Sequence, residues 1–135
     1  MTKSSAVTAP GRKSASPAYK NSGFPSARRV KDLLSRMSLE EKAAQMLCVW
    51  QEKAQKLVNE KGEFDESKAK KAFRDRRGLG QVGRPSDAGG GRNARQMAEL
   101  TNAIQKFFLE NSRPGIPVIF HEECLHGHAA PDGTS

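Results

Sequence analysis

Gly115-Ile116-Pro117-Val118-Ile119-Phe120-His121-Glu122-Glu123-Cys124-Leu125-His126-Gly127-His128 is the stretch on which the fold turns. Ile116–Phe120 is largely β-branched and apolar throughout, the pattern of a strand covered on both faces in a parallel sheet. Upstream, Met97, Leu100, Ile104, Phe107 and Phe108 recur at helical spacing. That spacing predicts a helix over Arg92–Glu110, which Pro114 and Gly115 stop. Before the helix, Gly78-Leu79-Gly80-Gln81-Val82-Gly83 is short and Gly-rich, and a Pro-Ser-Asp-Ala-Gly-Gly-Gly loop follows it. Such a run suits a buried strand pressed closely against its neighbours. Strand, helix and strand with a crossover of this length make a βαβ unit, with parallel strands and a right-handed connection. Parallel strands send their carboxyl ends to one edge, and in α/β folds that edge carries the ligand site. Arg84–Asp87 and His121–His128 are therefore expected to face one cavity.

Working back toward the start, Val30, Leu33, Leu34 and Met37 follow i, i+3, i+4, i+7 spacing and predict a short amphipathic helix over Ser26–Met37. Ser38 followed three residues later by Glu41 is a capping box, which opens a second helix expected over Leu39–Leu47. From Gln51 to Arg77 the chain alternates Lys and Glu with few apolar residues, and Lys68–Phe73 reads as a lightly anchored helix on a solvated face. Residues 1–25 are basic and rich in Ser, Pro and Ala, with almost no large apolar side chain. Such a segment buries too little surface to offset its ordering entropy, so a disordered arm is expected there.

The 135 residues carry a net charge of +8, which raises the question of nucleic acid. Residues 1–37 hold eight Lys and Arg against Asp32 alone, whereas residues 94–135 hold three basic residues against five acidic ones. The excess thus sits in the arm, away from the apolar-patterned end. Aromatic residues make up 6% of the chain and none is interleaved with the basic stretch, so the stacking platforms of single-strand binders are missing. No nucleic-acid partner is expected. A small basic binding module without catalysis is the alternative reading that this charge leaves open. The longest apolar runs, Met46–Trp50 and Ile116–Phe120, fall far short of the roughly 18 residues of a membrane span, so no membrane partner is expected either. The first 26 residues lack the apolar core of a signal peptide. Cys48 and Cys124 lie far apart without a CxxC pattern and read as free thiols, which together with the missing leader points to the cytoplasm.

Eight residues, His121–His128, contain three histidines, two carboxylates and a thiol. Helical zinc sites set their histidines at i and i+4, whereas His121 and His126 stand five apart, about 140° around a helix axis. That spacing argues against such a site, and no metal is expected. His121 and His128 read as residues that cap the strand end and bond backbone carbonyls. Glu123 stands just past a buried strand, where a carboxylate can accept hydrogen bonds from a hydroxyl-rich ligand. Arg84, Asp87 and His126 are expected to line the same site.

Arg29-Val30-Lys31-Asp32-Leu33-Leu34-Ser35-Arg36-Met37-Ser38-Leu39-Glu40-Glu41-Lys42-Ala43-Ala44-Gln45-Met46 is similar to the opening signature of glycoside hydrolase family 3. Gly115–Gly127 resembles its second landmark, a strand and loop ending in an acidic residue, two further residues and His-Gly. The likeness runs from about Tyr19 to Ser135, with Gly78–Gly83 and Asn102–Gln105 in order between the two landmarks. It implies an α/β fold that forms the N-terminal portion of a TIM-like (β/α)₈ barrel, the first βαβ unit plus preceding helices. A whole barrel takes about 250 residues, so the barrel is expected to be incomplete here, with residues 26–135 as its first part. The resemblance further implies an exo-acting retaining β-glucosidase or β-xylosidase that uses no cofactor and takes a carbohydrate substrate. Its nucleophile and acid/base residue lie downstream of the His-Gly landmark, so no catalytic residue is expected in this chain. The acidic residue before the landmark contacts sugar hydroxyls and is usually Asp in the family. Glu123 stands in its place with an arm one methylene longer.

Overall fold

The computed structural model describes residues 16–131 and 133, which fall into two compact units, one ending at Arg36 and one beginning at Met37. In the first, α1 covers Ser26–Arg36 and begins where the apolar spacing starts. Residues 1–15 of the expected arm lie outside the described residues. Residues 16–25 hold a 3₁₀ turn over Ala18–Lys20, tied to α1 from both sides. The Tyr19 amide donates to Asp32 Oδ2 at 3.1 Å, and Arg29 Nε donates to the Tyr19 carbonyl at 3.0 Å. One aromatic residue with two backbone ties orders a segment whose composition alone reads as unstructured.

In the second unit α2 (Leu39–Ala44) leads into β1 (Cys48–Val49), then α3 (Lys53–Lys56) and α4 (Glu66–Ala72). β2 (Gln81–Gly83), α5 (Ala94–Asn111) and β3 (Ile119–His121) follow. The three strands form one parallel sheet in the order β1-β2-β3, with Cys48 beside Gln81 beside Ile119, and Val49 beside Val82 beside Phe120. The parallel pairing of β2 with β3 across α5 is the arrangement expected. β1 is not: α2 ends three residues earlier than Leu47, and the chain turns into the sheet.

Local chemistry sets these elements. Ser38 and Glu41 cap α2 reciprocally, Glu41 N donating to Ser38 Oγ and Ser38 N to Glu41 Oε2. Asn93 and Gln96 do the same for α5, whose Leu100, Ile104, Phe107 and Phe108 are buried. Gln105 of α5 works as a substitute strand, accepting from Val118 N at 2.7 Å and donating to the Val118 carbonyl at 2.9 Å, which fixes β3 against the helix. Gly80 is needed for the approach of β2 to the end of α2, since a Cβ there would lie 1.9 Å from the Gln45 carbonyl oxygen.

One sheet face, Val49, Val82 and Phe120, packs on α5 in the core. The Lys/Glu-rich tract, expected to be solvated, supplies Leu57, Val58 and Ala69 to that core, and Phe73 and Phe64 pack edge-on or tilted against Phe108 and Phe107. The other face carries Cys48, Gln81 and Ile119, and Ile119 is 65% exposed. β3 is therefore covered on one face only, not on both, because no element among the described residues packs on the second.

Arg113, after α5, donates both arms of its guanidinium to the buried carboxylate of Glu41. Those bonds hold the Glu41 carboxyl below its usual range, outweighing burial, which acts the other way. A carboxyl lowered on folding stabilises above its unfolded pKa and loses that contribution as pH falls through the folded value. Glu41→Gln should cost about 1–2 kcal/mol near neutral pH, discounted because the Arg113 head is half exposed. The gap from wild type should close as pH drops below about 4. Chemical denaturation across pH measures this, and a gap that stays constant with pH would contradict it.

Candidate functional site

Because all three strands are parallel, their carboxyl ends meet at one edge, and the residues that follow them build it: Trp50–Lys53, Arg84–Asp87 and Glu122–His128. Lys53 is its anchor. The residue is 6% exposed, and Nζ donates to the Trp50 carbonyl at 2.5 Å and the Gly83 carbonyl at 2.9 Å, and pairs with Asp87 Oδ1 at 3.0 Å. An ammonium has three N–H groups, and this one has three acceptors. Two of them are carbonyls just beyond or at the end of β1 and β2, which the buried charge draws together.

β3 is joined to this edge by Glu122. Its Oε1 accepts from the Ser86 amide at 2.9 Å and its Oε2 from the buried Ser86 hydroxyl at 2.7 Å. The Arg84 amide donates to the His121 carbonyl at 2.7 Å. Between these ties Arg84 adopts φ +47° and ψ 60°, a left-handed conformation uncommon outside glycine and disfavoured further by the proline that follows. The strain is held by bonds on both sides and sets the direction in which Arg84 leaves the strand.

The His121 ring stands edge-on to Trp50, with centroids 6.2 Å apart, and its Nε2 lies 3.5 Å from Cys48 Sγ. Gly83 lies beneath both rings: a Cβ there would come within 2.9 Å of His121 Cε1 and 3.2 Å of Trp50 Cγ. His121 thus packs against an indole and a thiol and not against backbone carbonyls, and His128 places Nδ1 3.9 Å from Cys124 Sγ. Both cysteines are free and exposed. Among the described residues no three His, Cys, Asp or Glu side chains converge as a metal cage needs.

Of the four residues singled out from sequence, Arg84, Glu123 and His126 line one open cleft of about 300 Å³, together with Leu125 and His128. Asp87 does not join them. The buried ammonium of Lys53 draws it toward β1, and it lines a neighbouring cleft of about 380 Å³ with Trp50, Gln51 and Lys53. Arg84 borders both, and its Nε lies 3.6 Å from Asp87 Oδ2. Sequence reading missed Lys53 and Trp50, and it placed Ser86 and Glu122 in the two site loops without giving either a role. A lysine in a Lys/Glu run carries no mark of burial. The one available signal was Trp50, the sole tryptophan, at the end of the apolar run Met46–Trp50.

No protein-family model matches the chain. It is similar to β-glucosidase C of Emericella nidulans, with 35% identity over 123 residues, 91% of this chain and 18% of that protein. It is likewise similar to a putative β-xylosidase of Formosa agariphila, with 32% identity over 117 residues, 86% of this chain and 15% of that protein. The chain therefore spans less than a fifth of the length of either curated relative.

If Lys53 organises the edge, replacing it by methionine keeps the stem's packing but leaves two strand-end carbonyls without their donor. Lys53→Met should lower stability by about 1–3 kcal/mol. Urea denaturation reads this directly, and a loss under about 0.5 kcal/mol, the usual scatter for a surface change, would contradict it.

Proposed function

We propose that this chain forms the opening part of an exo-acting, retaining β-glycosidase of the β-glucosidase or β-xylosidase type, in glycoside hydrolase family 3. The observation that carries the reading is the meeting of Arg84, Glu123 and His126 in one cleft at the carboxyl edge of a parallel sheet. The similarity to a β-glucosidase and a putative β-xylosidase over about nine-tenths of the chain supports the same chemistry. On this reading the sheet is the first arc of a (β/α)₈ barrel. The helices α4 and α5 lie on its outside, and the open face with Cys48, Gln81 and Ile119 is the wall that faces the barrel interior.

The roles follow from the bonds already made. Glu122 spends its carboxylate on Ser86 and is a positioning residue. Glu123 is exposed in the cleft and can accept hydrogen bonds from the hydroxyls of a terminal sugar. Arg84 and His126 border the same space and supply donors. Retention of configuration needs two carboxyl groups about 5–5.5 Å apart, one as nucleophile and one as acid then base. With Glu122 tied down and Asp87 paired to Lys53, the reading places that pair outside this chain.

Two assays test it together. The longest product of the gene should hydrolyse an aryl β-glucoside or β-xyloside, and Glu123→Ala should lower kcat/KM about 10–150-fold, the loss expected for one charged hydrogen bond to substrate. The 135-residue chain alone should hydrolyse neither. Turnover by the chain itself, or unchanged kcat/KM in Glu123→Ala, would overturn the proposal.

A further inference from the structure

The cleft between the ends of β1 and β2 is distinct from the one that holds Glu123, and its lining has a particular chemistry. On one side is Trp50, the sole tryptophan of the chain, 38% exposed although it directly follows a core strand. On the other sides are Asp87, Arg84 and Gln51, with Lys53 at the base. At about 380 Å³ the cleft falls within the size range of small-ligand sites.

We infer that this cleft is a second carbohydrate subsite, which takes a neutral sugar ring adjoining the one that Glu123 contacts. The inference rests on the proposed glycosidase reading and extends it to residues that reading does not use. An exposed indole offers a flat apolar surface for the C–H face of a pyranose, the contact that large aromatic rings make well. Around it the polar groups are planar, and Asp87 is already oriented. Asp87 is held by Lys53 Nζ at 3.0 Å on Oδ1 and lies 3.6 Å from Arg84 Nε on Oδ2, and a carboxylate so placed still has lone pairs to accept sugar hydroxyls. The Gln51 amide both donates and accepts.

The charges decide between ligand classes. A phosphate would find little free positive charge, because the three donors of Lys53 are directed at Trp50 O, Gly83 O and Asp87, and Arg84 Nε faces Asp87 Oδ2 at 3.6 Å. It would also meet the Asp87 carboxylate. A purely apolar ligand would strip water from Asp87 and Arg84 without replacing it. A neutral polyhydroxyl ring satisfies both the indole and the carboxylate. Arg84 lines both this cleft and the one with Glu123, and on this inference one disaccharide spans the two past its side chain.

The single tryptophan makes the test direct. Trp50 emission of the 135-residue chain should change saturably with methyl β-D-glucoside or methyl β-D-xyloside and stay unchanged with inorganic phosphate. Cellobiose or xylobiose should bind at least about tenfold more tightly than the monosaccharide, the gain of roughly one further charged hydrogen bond. Asp87→Asn should weaken the monosaccharide response several-fold. Gln51→Ala, at a residue with no described structural tie, should do the same without disturbing the fold. Glu123→Ala should remove the disaccharide advantage and leave the monosaccharide response intact. A response that disappears in Glu123→Ala yet persists in Gln51→Ala and Asp87→Asn would overturn the subsite while leaving the Glu123 assignment standing. A response to phosphate in place of sugar, or no response to any sugar, would overturn it as well. The glycosidase reading fails separately, if the longest gene product hydrolyses neither an aryl β-glucoside nor an aryl β-xyloside.

Discussion

The ammonium of Lys53 is buried where two parallel strands end, and most of the geometry at that edge follows from its need for three acceptors. A desolvated charge is costly unless every donor is met, so the Trp50 carbonyl, the Gly83 carbonyl and the Asp87 carboxylate are held to one point. That convergence places β1 beside β2 with Trp50 at the rim and turns Asp87 away from Glu123. The Ser86–Glu122 clamp then brings β3 into the same frame. With Glu122 committed to Ser86, its neighbour Glu123 is left to the solvent side.

The rest of the unit supports this edge from behind. α5 carries the core side chains and, through Gln105, substitutes for a strand at Val118, so the register of β3 is set before the strand begins. Gly80 lets β2 meet the end of α2 at backbone distance. Among the described residues the sheet is thus packed on its helical face and open on the other, where Ile119 is exposed.

Much of this was legible in the sequence where periodicity is long or turn chemistry strong. Leu100, Ile104, Phe107 and Phe108 mark α5, and Ser38 with Glu41 marks the start of α2. The parallel pairing across α5 follows from the βαβ pattern. β1 was hidden because Met46 and Leu47 continue the apolar run beyond a helix that ends at Ala44, and the strand has only two residues. Burial of Lys53 was illegible because it depends on two carbonyls and a carboxylate from distant positions. The neighbouring carboxylates Glu122 and Glu123 look alike in sequence, and only the bond to Ser86 tells the positioning residue from the exposed one.

The central claim is that a sugar binds at the carboxyl edge of this sheet. The most direct measurement is a titration of the ¹⁵N-labelled chain with methyl β-D-glucoside and methyl β-D-xyloside, followed by amide chemical shifts. The account predicts saturable shifts confined to residues near Trp50, Arg84–Asp87 and Glu122–His128. Shifts that are absent, or that fall on the outer faces of α4 and α5, would contradict it.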